Sequence, residues 1–142
     1  MTLPLWTLLG FAGWTLATLV FTIGAHRWHR ILTGRASVAE WRADAEQGPD
    51  WYRRAMRAHM NCVENLPVYG AIVLAGTAAG VASAACDALA VAFLGARIGQ
   101  TLVHVGVPQT ERAATARFSF FAVQVACMAA MGAIVGASAA DA

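Results

Sequence analysis

Four long apolar runs, each interrupted by at most one charged residue, are the feature that most restricts how this chain folds. A helix needs about 20 mostly apolar residues to cross the hydrocarbon core of a bilayer. The runs cover residues 3–25, 58–80, 89–107 and 118–140, and the first and the last contain no charge at all. The sequence therefore predicts an all-α membrane protein in which four transmembrane helices form one bundle.

The composition agrees with a membrane protein and argues against several other classes. Only 13% of the 142 residues are charged and the mean hydropathy is +0.55, whereas soluble domains have about a quarter charged residues. A chain of this length forms one domain, residues 1–142. A net charge of +2 is too small to indicate nucleic acid as a partner. The cysteines Cys62, Cys86 and Cys127 have no paired spacing, so we expect small buried residues rather than disulfides or a metal site.

The arginines indicate the orientation of the chain in the membrane. Nine of the ten lie in two connections, seven between residues 27 and 57 and two between residues 108 and 117. Basic loops stay on the cytoplasmic side. We therefore expect a multi-pass integral membrane protein whose first and third connections are cytoplasmic and whose termini both lie outside.

Reporters that work on only one side of the membrane test this orientation. Alkaline phosphatase fused after Ala142 is expected to be active, because that enzyme folds only outside the cytoplasm, and green fluorescent protein fused there is expected to be dark. The same pair fused after Arg35 should give the opposite pattern. A fluorescent fusion at the C-terminus would show that the orientation is wrong.

The second apolar run begins with polar residues that a lipid-facing helix would not carry. Gly48, Pro49 and Asp50 form a stop-and-restart signal, so we expect a helix that starts with Asp50 as its N-cap. At 100° per residue, Arg57, Asn61 and Glu64 then lie within about 60° of one another. We call these three residues the α3 stripe, where α3 is the helix of the second run and α4 the helix of the third.

The third run carries a second polar face. Arg97, Gln100, Thr101 and His104 lie on one side of that helix, and we call them the α4 stripe. An unpaired charge at the bilayer centre costs at least about 2.5 kcal/mol. Because Glu64 and Arg97 are at similar depth, we expect them to face each other, within one subunit or across two.

Three roles fit these polar faces. They can hold helices together, although measured contacts between membrane helices contribute only about 0.6 kcal/mol on average. They can relay protons or ions, although the polar groups do not continue to the far side of the membrane. Ionisable residues inside a membrane favour the third role, a ligand site. We interpret Gln124 as a hydrogen bond between helices, and Arg112, taken by itself, as a positive-inside anchor of its loop.

The residues of the α3 stripe resemble a known pattern. Residues 57–64, RAHMNCVE, match the R-A-x-x-N-x-x-E pattern in the second helix of the MAPEG family, the membrane-associated proteins of eicosanoid and glutathione metabolism. Residues 94–101 are similar to the family's arginine-containing stretch in the third helix. Arg112 falls where the family has an arginine that stabilises the glutathione thiolate.

This resemblance implies a homotrimer of four-helix subunits that binds glutathione, its cosubstrate, between subunits near the cytoplasmic side. Arg112 is then the catalytic residue, because a fixed cation at a helix N-terminus favours the thiolate. The residues expected to bind glutathione are Arg57, Asn61, Glu64, Arg97, Gln100, His104 and one arginine of the first loop, Arg30 or Arg27.

The implied activity is that of a bacterial-type relative of microsomal glutathione transferase in the inner membrane. Its partners are glutathione, membrane lipid and lipophilic small molecules, either electrophiles or lipid hydroperoxides. Three positions depart from some members: Met60 replaces a basic residue, His104 a tyrosine and Ala113 a serine. These departures remove ligand contacts. The alternative is therefore a non-catalytic membrane scaffold or lipid-binding protein that has lost glutathione chemistry.

Overall fold

The described part of the chain consists of helices joined by short connections. The computed structural model describes residues 1–41 and 48–140, so Arg42, one of the predicted cytoplasmic arginines, lies outside the described residues. Neither described range contains a β-strand. In chain order the elements are α1 (Leu3–Thr18), a π-helical segment (Leu19–Gly24), α2 (Ala25–Leu32), a 3-10 turn (Val38–Glu40), α3 (Asp50–Ala78), α4 (Ala84–Gly106) and α5 (Glu111–Ala140).

Three helical segments within the described ranges are long and apolar enough to cross a membrane. They are Leu3–Leu32, Ala84–Gly106 and Glu111–Ser138, which agree with the first, third and fourth predicted spans. Helix α3 has 29 residues, or about 43 Å at 1.5 Å per residue, so it is long enough to cross as well. Its polar residues lower its hydropathy, and the second span, residues 58–80, stays a prediction.

Helix α3 begins where the sequence predicts. Asp50 is its first residue and the extended Pro49 precedes it, so Pro49 is the N-cap and the expectation that Asp50 has this role is wrong. At the other end, Gly80 has a φ of 67°, a left-handed conformation that glycine adopts without steric cost. The N–H of Val81 then donates to the carbonyl of Gly76 at 2.9 Å, which closes the end of the helix.

A stack of aromatic rings joins α1, α3 and α4 in the centre of the bundle. The rings of Tyr69 and Phe93 are parallel within 7°, with centroids 3.9 Å apart, and Phe11 meets Phe93 edge to face at 5.3 Å. The Tyr69 hydroxyl is hydrogen-bonded to Thr7 at 2.6 Å, so the buried phenol has a partner. All three rings are fully buried, and they fix the three helices relative to one another.

Small residues let α5 approach α3 and α4 closely. A Cβ added at Gly99 of α4 would lie 2.9 Å from the ring of Phe120, and one added at Gly76 of α3 would lie 2.9 Å from Val135. Close approach through small side chains is how membrane helices pack when lipid supplies no hydrophobic drive. The three cysteines are buried and free, which confirms the prediction that they act as small core residues.

The contact at Gly99 predicts a stability difference between two glycines of the same helix. Gly99→Ala is expected to lower the melting temperature in detergent, because the added methyl group overpacks against Phe120 at a cost of about 1–3 kcal/mol. Gly95→Ala is the matched control, since a Cβ there meets nothing within 4 Å. It should leave the melting temperature unchanged or raise it, as alanine is the better helix former. Equal melting temperatures for the two variants would contradict this packing.

Candidate functional site

The α4 stripe lies inside the subunit. Arg97, Gln100 and Thr101 are buried and His104 is half-buried, so the four residues share one inward face, as predicted. Arg97 is only 1% exposed. Its Nη1 donates to Oε1 of Gln100 at 2.9 Å, and its guanidinium lies 5.5 Å from the ring centroid of Phe11. Among the described residues, its Nε and Nη2 have no hydrogen-bond partner.

Gln100 connects this buried charge to α5. Its Oε1 also accepts from Nε2 of Gln124 at 3.2 Å, and its own Nε2 donates to the carbonyl of Arg117 at 3.0 Å. Gln124 is fully buried, and its predicted role as a hydrogen bond between helices is confirmed. The network therefore fixes the angle between α4 and α5 around Arg97.

The α3 stripe lies on the outside of the subunit. Arg57 and Glu64 are exposed and Asn61 is half-buried, so the predicted common face exists but points away from the core. Met60, between them in sequence, is 52% exposed. This face combines charged groups with apolar side chains. Lipid alone does not solvate the charged groups well.

Glu64 and Arg97 do not pair within the subunit. Among the described residues no ion pair joins them, because Glu64 is exposed on the outer face of α3 while Arg97 is enclosed by the core. Glu64 still acts on Arg97 electrostatically at longer range. The expectation of a pair within one subunit is therefore wrong, and a pair across two subunits stays a prediction.

Arginines of α3 and α5 lie near the last turn of α4. There His104 lies within electrostatic range of Arg54, Arg57 and Arg117. The Nδ1 atom of His104 is buried, and no described group bonds to it. Arg54 bridges the two helices, since its Nη2 donates to the carbonyl of Val105 at 3.3 Å. A polar site thus forms between the first turns of α3 and the last turn of α4.

A cavity of about 230 Å³ opens at this end of the bundle. Its lining residues are Asp50, Arg53, Arg54, Arg57 and Gln109. Sequence reasoning placed Arg57 in a ligand site but missed Gln109 and Arg117, whose side chains are joined by a hydrogen bond of 2.6 Å from Arg117 Nη2 to Gln109 Oε1. No spacing rule points to these two residues, because they follow the break between α4 and α5.

Arg27 and Arg30, the two first-loop arginines considered as glutathione contacts, are held in an aromatic cluster. The Nε of Arg27 donates to the Tyr52 hydroxyl at 2.6 Å, and its guanidinium lies 5.1 Å from the ring centroid of Trp41. Arg30 lies 5.8 Å from the same ring and forms an ion pair of 3.7 Å with Glu40. The described contacts therefore tie both arginines to their own loop and to the start of α3, not to the α3 stripe.

Arg112 is exposed in the first turn of α5. Thr110 caps this helix, because its Oγ1 accepts from the N–H of Ala113 at 3.1 Å. Arg112 therefore lies at a helix N-terminus, the position that the thiolate-stabilising role requires. This position fits an anchor in the predicted cytoplasmic loop equally well.

These observations define a helical membrane protein with ionisable groups gathered at one end of the bundle. The MAPEG family model matches residues 3–137, nearly the entire chain. The chain therefore belongs to the MAPEG family, a family of membrane proteins in eicosanoid and glutathione metabolism that includes glutathione transferases. No curated protein matches the sequence. The membership confirms the resemblance carried by residues 57–64 and makes the chain an integral membrane protein.

The Gln100 network predicts that Arg97 depends on its neighbour for stability. Gln100→Leu is expected to destabilise the protein by about 1.5–3 kcal/mol, because it removes a hydrogen bond to a buried charge. Gln124→Leu should cost less, since it removes only bonds between neutral groups, worth about 1 kcal/mol each. Thermal melting of both variants in detergent gives the comparison. If the two melting temperatures fall equally, Arg97 is not stabilised through Gln100.

Proposed function

We propose that this protein is a glutathione-dependent transferase or peroxidase that acts on lipophilic electrophiles or lipid hydroperoxides within the membrane. The observation that supports this most is the family match over residues 3–137, together with the position of the α3 stripe. Arg57, Asn61 and Glu64 lie on one outward face of α3. A carboxylate such as that of Glu64 needs a polar partner inside a membrane, and a bound ligand between subunits supplies one.

The same outward face supports assembly as a homotrimer. A stripe that is exposed on one subunit and too polar for lipid is well suited to an interface with a second copy. A ligand bound there contacts the α3 stripe of one subunit and reaches the neighbouring subunit. We therefore place the glutathione site between subunits at the cytoplasmic end of the bundle.

The chemistry of the stripe fits glutathione. A guanidinium such as that of Arg57 binds a carboxylate through two parallel hydrogen bonds, and Glu64 accepts from the ammonium group. Asn61 offers both a donor and an acceptor to the peptide backbone of the ligand. Arg97, Gln100 and His104 lie behind this face, and we assign Arg97 and Gln100 the task of fixing the helices that carry the contacts.

Arg112 is the proposed catalytic residue. A free thiol has a pKa of about 8.5 and only its thiolate is a strong nucleophile. A guanidinium beside the sulfur, together with the N-terminus of α5, favours the charged form. The thiolate then attacks the electrophilic carbon of the second substrate, a C–S bond forms and the leaving group departs with the electron pair.

An apolar groove offers a place for the second substrate. It has a volume of about 300 Å³ and runs between α1, the π-helical segment and α4. Its walls are almost entirely apolar, and Thr101 of the α4 stripe is among its lining residues. The substrate class proposed here is therefore lipophilic, and it enters from the bilayer while glutathione enters from water.

The second candidate is a membrane scaffold or lipid-binding protein without glutathione chemistry. It is favoured by the exposed Met60, which stands where some members have a basic residue. The binding of Arg27 and Arg30 within their own loop also leaves fewer cations for the two carboxylates of glutathione. This candidate predicts no glutathione binding at millimolar concentration.

Purified protein with glutathione tests both the assembly and the chemistry. Native mass spectrometry in detergent is expected to show three chains with bound glutathione. Ultraviolet difference spectra at neutral pH should show a rise from thiolate, because the bound thiol ionises well below its free pKa. Arg112→Leu should abolish the rise and leave binding mostly intact. Arg57→Leu should weaken binding by about 10- to 100-fold, the equivalent of one charge-assisted hydrogen bond, and leave the thiolate signal recoverable at high glutathione.

Arg35→Leu is the matched control, since Arg35 is an exposed arginine of the first loop outside the proposed site. It should retain both binding and signal. A full thiolate signal in Arg112→Leu would mean that Arg112 is only a topological anchor. If the wild type neither binds glutathione nor forms thiolate, the scaffold is the correct function.

A further inference from the structure

The apolar groove between α1, the π-helical segment and α4 follows the helix axes. On the first two elements its lining residues recur every three or four positions from Trp14 to Thr22, which is one helix face about 12 Å long at 1.5 Å per residue. On α4 the lining extends from Thr101 to Gly106. All the lining residues belong to these described helices, and residues 42–47 are not among them. The groove is therefore elongated and parallel to the helices.

The groove offers hydrocarbon to a ligand, although three of its lining residues are threonines. Thr18 and Thr22 donate their hydroxyl protons to the carbonyls four residues before them. Thr101 donates in the same way to the carbonyl of Arg97 at 3.0 Å. Because these protons are already bonded, a ligand in the groove gains mainly by burying apolar surface.

The groove opens towards lipid on one side and ends beside polar groups. Two of its lining residues, Phe21 and Leu102, are 78% and 59% exposed, and both belong to helical segments long and apolar enough to cross a membrane. At the predicted cytoplasmic end, the carbonyl of the lining residue Val105 accepts from Nη2 of Arg54. A ligand that fits therefore has hydrocarbon inside the membrane and a polar end at its surface.

An acyl chain has this form, since it is an unbranched hydrocarbon that lies along the membrane normal and ends in a polar headgroup. We propose that the groove binds a single acyl chain, with its polar end at the cytoplasmic surface. The second substrate of the proposed transferase is then a molecule with an acyl chain, such as a lipid hydroperoxide, rather than a compact electrophile. This substrate class rests on the proposed function, whereas binding of the chain does not require glutathione.

Binding of stearic acid tests the groove by itself, on the full chain without glutathione and in a steroid-based detergent that has no alkyl chain. Stearic acid brominated in the middle of its chain is expected to quench part of the tryptophan fluorescence saturably, because bromine comes into contact with Trp14. Plain stearic acid should displace it, whereas adamantane carboxylic acid, a compact hydrocarbon with the same carboxylate, should not. Trp14→Phe should remove the saturable quenching and keep stearic acid binding in native mass spectrometry.

Two glycines of α4 supply a matched pair of variants. A Cβ added at Gly106 or at Gly95 meets nothing within 4 Å, but of the two only Gly106 lines the groove. Gly106→Leu is expected to weaken stearic acid binding by at least about tenfold, since exclusion of two methylene groups is sufficient for that factor. Gly95→Leu should bind like the wild type. If Gly106→Leu does not fold, the quenching in Trp14→Phe decides.

Quenching that does not saturate in the wild type, equal weakening by the two leucine variants, or displacement by adamantane carboxylic acid overturns the proposal. Absence of stearic acid binding, together with an oligomer that Gly106→Leu dissociates, also overturns it and shows that a second copy of the chain covers the groove.

A second assay with glutathione tests the substrate class. In that reaction two glutathione thiols are oxidised to the disulfide, and a fatty acid hydroperoxide is reduced to an alcohol and water. Gly106→Leu should slow this reduction relative to Gly95→Leu, and equal rates overturn the substrate class. If the wild type binds stearic acid but reduces no hydroperoxide, the proposed transferase is wrong while the acyl-chain site stands.

Discussion

A guanidinium group that never loses its proton lies in the core of the bundle, and much of the subunit is arranged around it. Arg97 of α4 is buried, faces the ring of Phe11 in α1 and is bonded to Gln100, and it remains charged in any protein environment. The charge is stabilised by a glutamine oxygen, an aromatic ring and an electrostatic interaction with the more distant Glu64. Gln100 also forms hydrogen bonds with two groups of α5, the carbonyl of Arg117 and the side chain of Gln124. The side chain that binds the buried arginine therefore also joins α4 to α5.

The two polar stripes differ in position, since one lies inside the subunit and the other on its outer face. Most of the α4 stripe is buried and organises the bundle, whereas the α3 stripe lies on the outer face of the subunit, where Arg57 and Glu64 are exposed. The buried network around Arg97 is therefore complete within one subunit, whereas the α3 stripe lies at the surface of that subunit. The exposed charged groups of the α3 stripe make one isolated bundle a poor fit for lipid.

Sequence periodicity was sufficient to predict the helices and the membership of each polar face. The stripes Arg57–Asn61–Glu64 and Arg97–Gln100–Thr101–His104 follow from 100° per residue alone. Periodicity could not say whether a face points in or out, because that depends on the angles at which helices cross. This is why a pair of Glu64 with Arg97 within one subunit was expected but is not found. Gln109 and Arg117 were not predicted for a related reason. Both residues follow the break after α4, so periodicity does not fix their direction relative to the residues of α4.

The aromatic cluster at the start of α3 could not be predicted from local sequence either. Tyr52 is fully buried against Arg27 and Trp41, although it lies just outside a predicted span, where aromatic residues commonly sit at the membrane surface. Cation–π contacts and a hydrogen bond between residues 25 positions apart in sequence are set by the path of the first loop. The cluster gives the loop and α3 a common anchor.

The π-helical segment Leu19–Gly24 determines the direction in which α2 and its Arg27 face relative to α1. A π-helical turn carries more residues than an α-helical one, so it has the effect of a residue inserted into a continuous helix. Deleting one residue there would turn α2 by about 100° relative to α1 and carry Arg27 away from Tyr52. The direction in which α2 faces thus depends on six residues that contain no charged group. Insertions or deletions in this apolar stretch would change the contacts between the first loop and the start of α3.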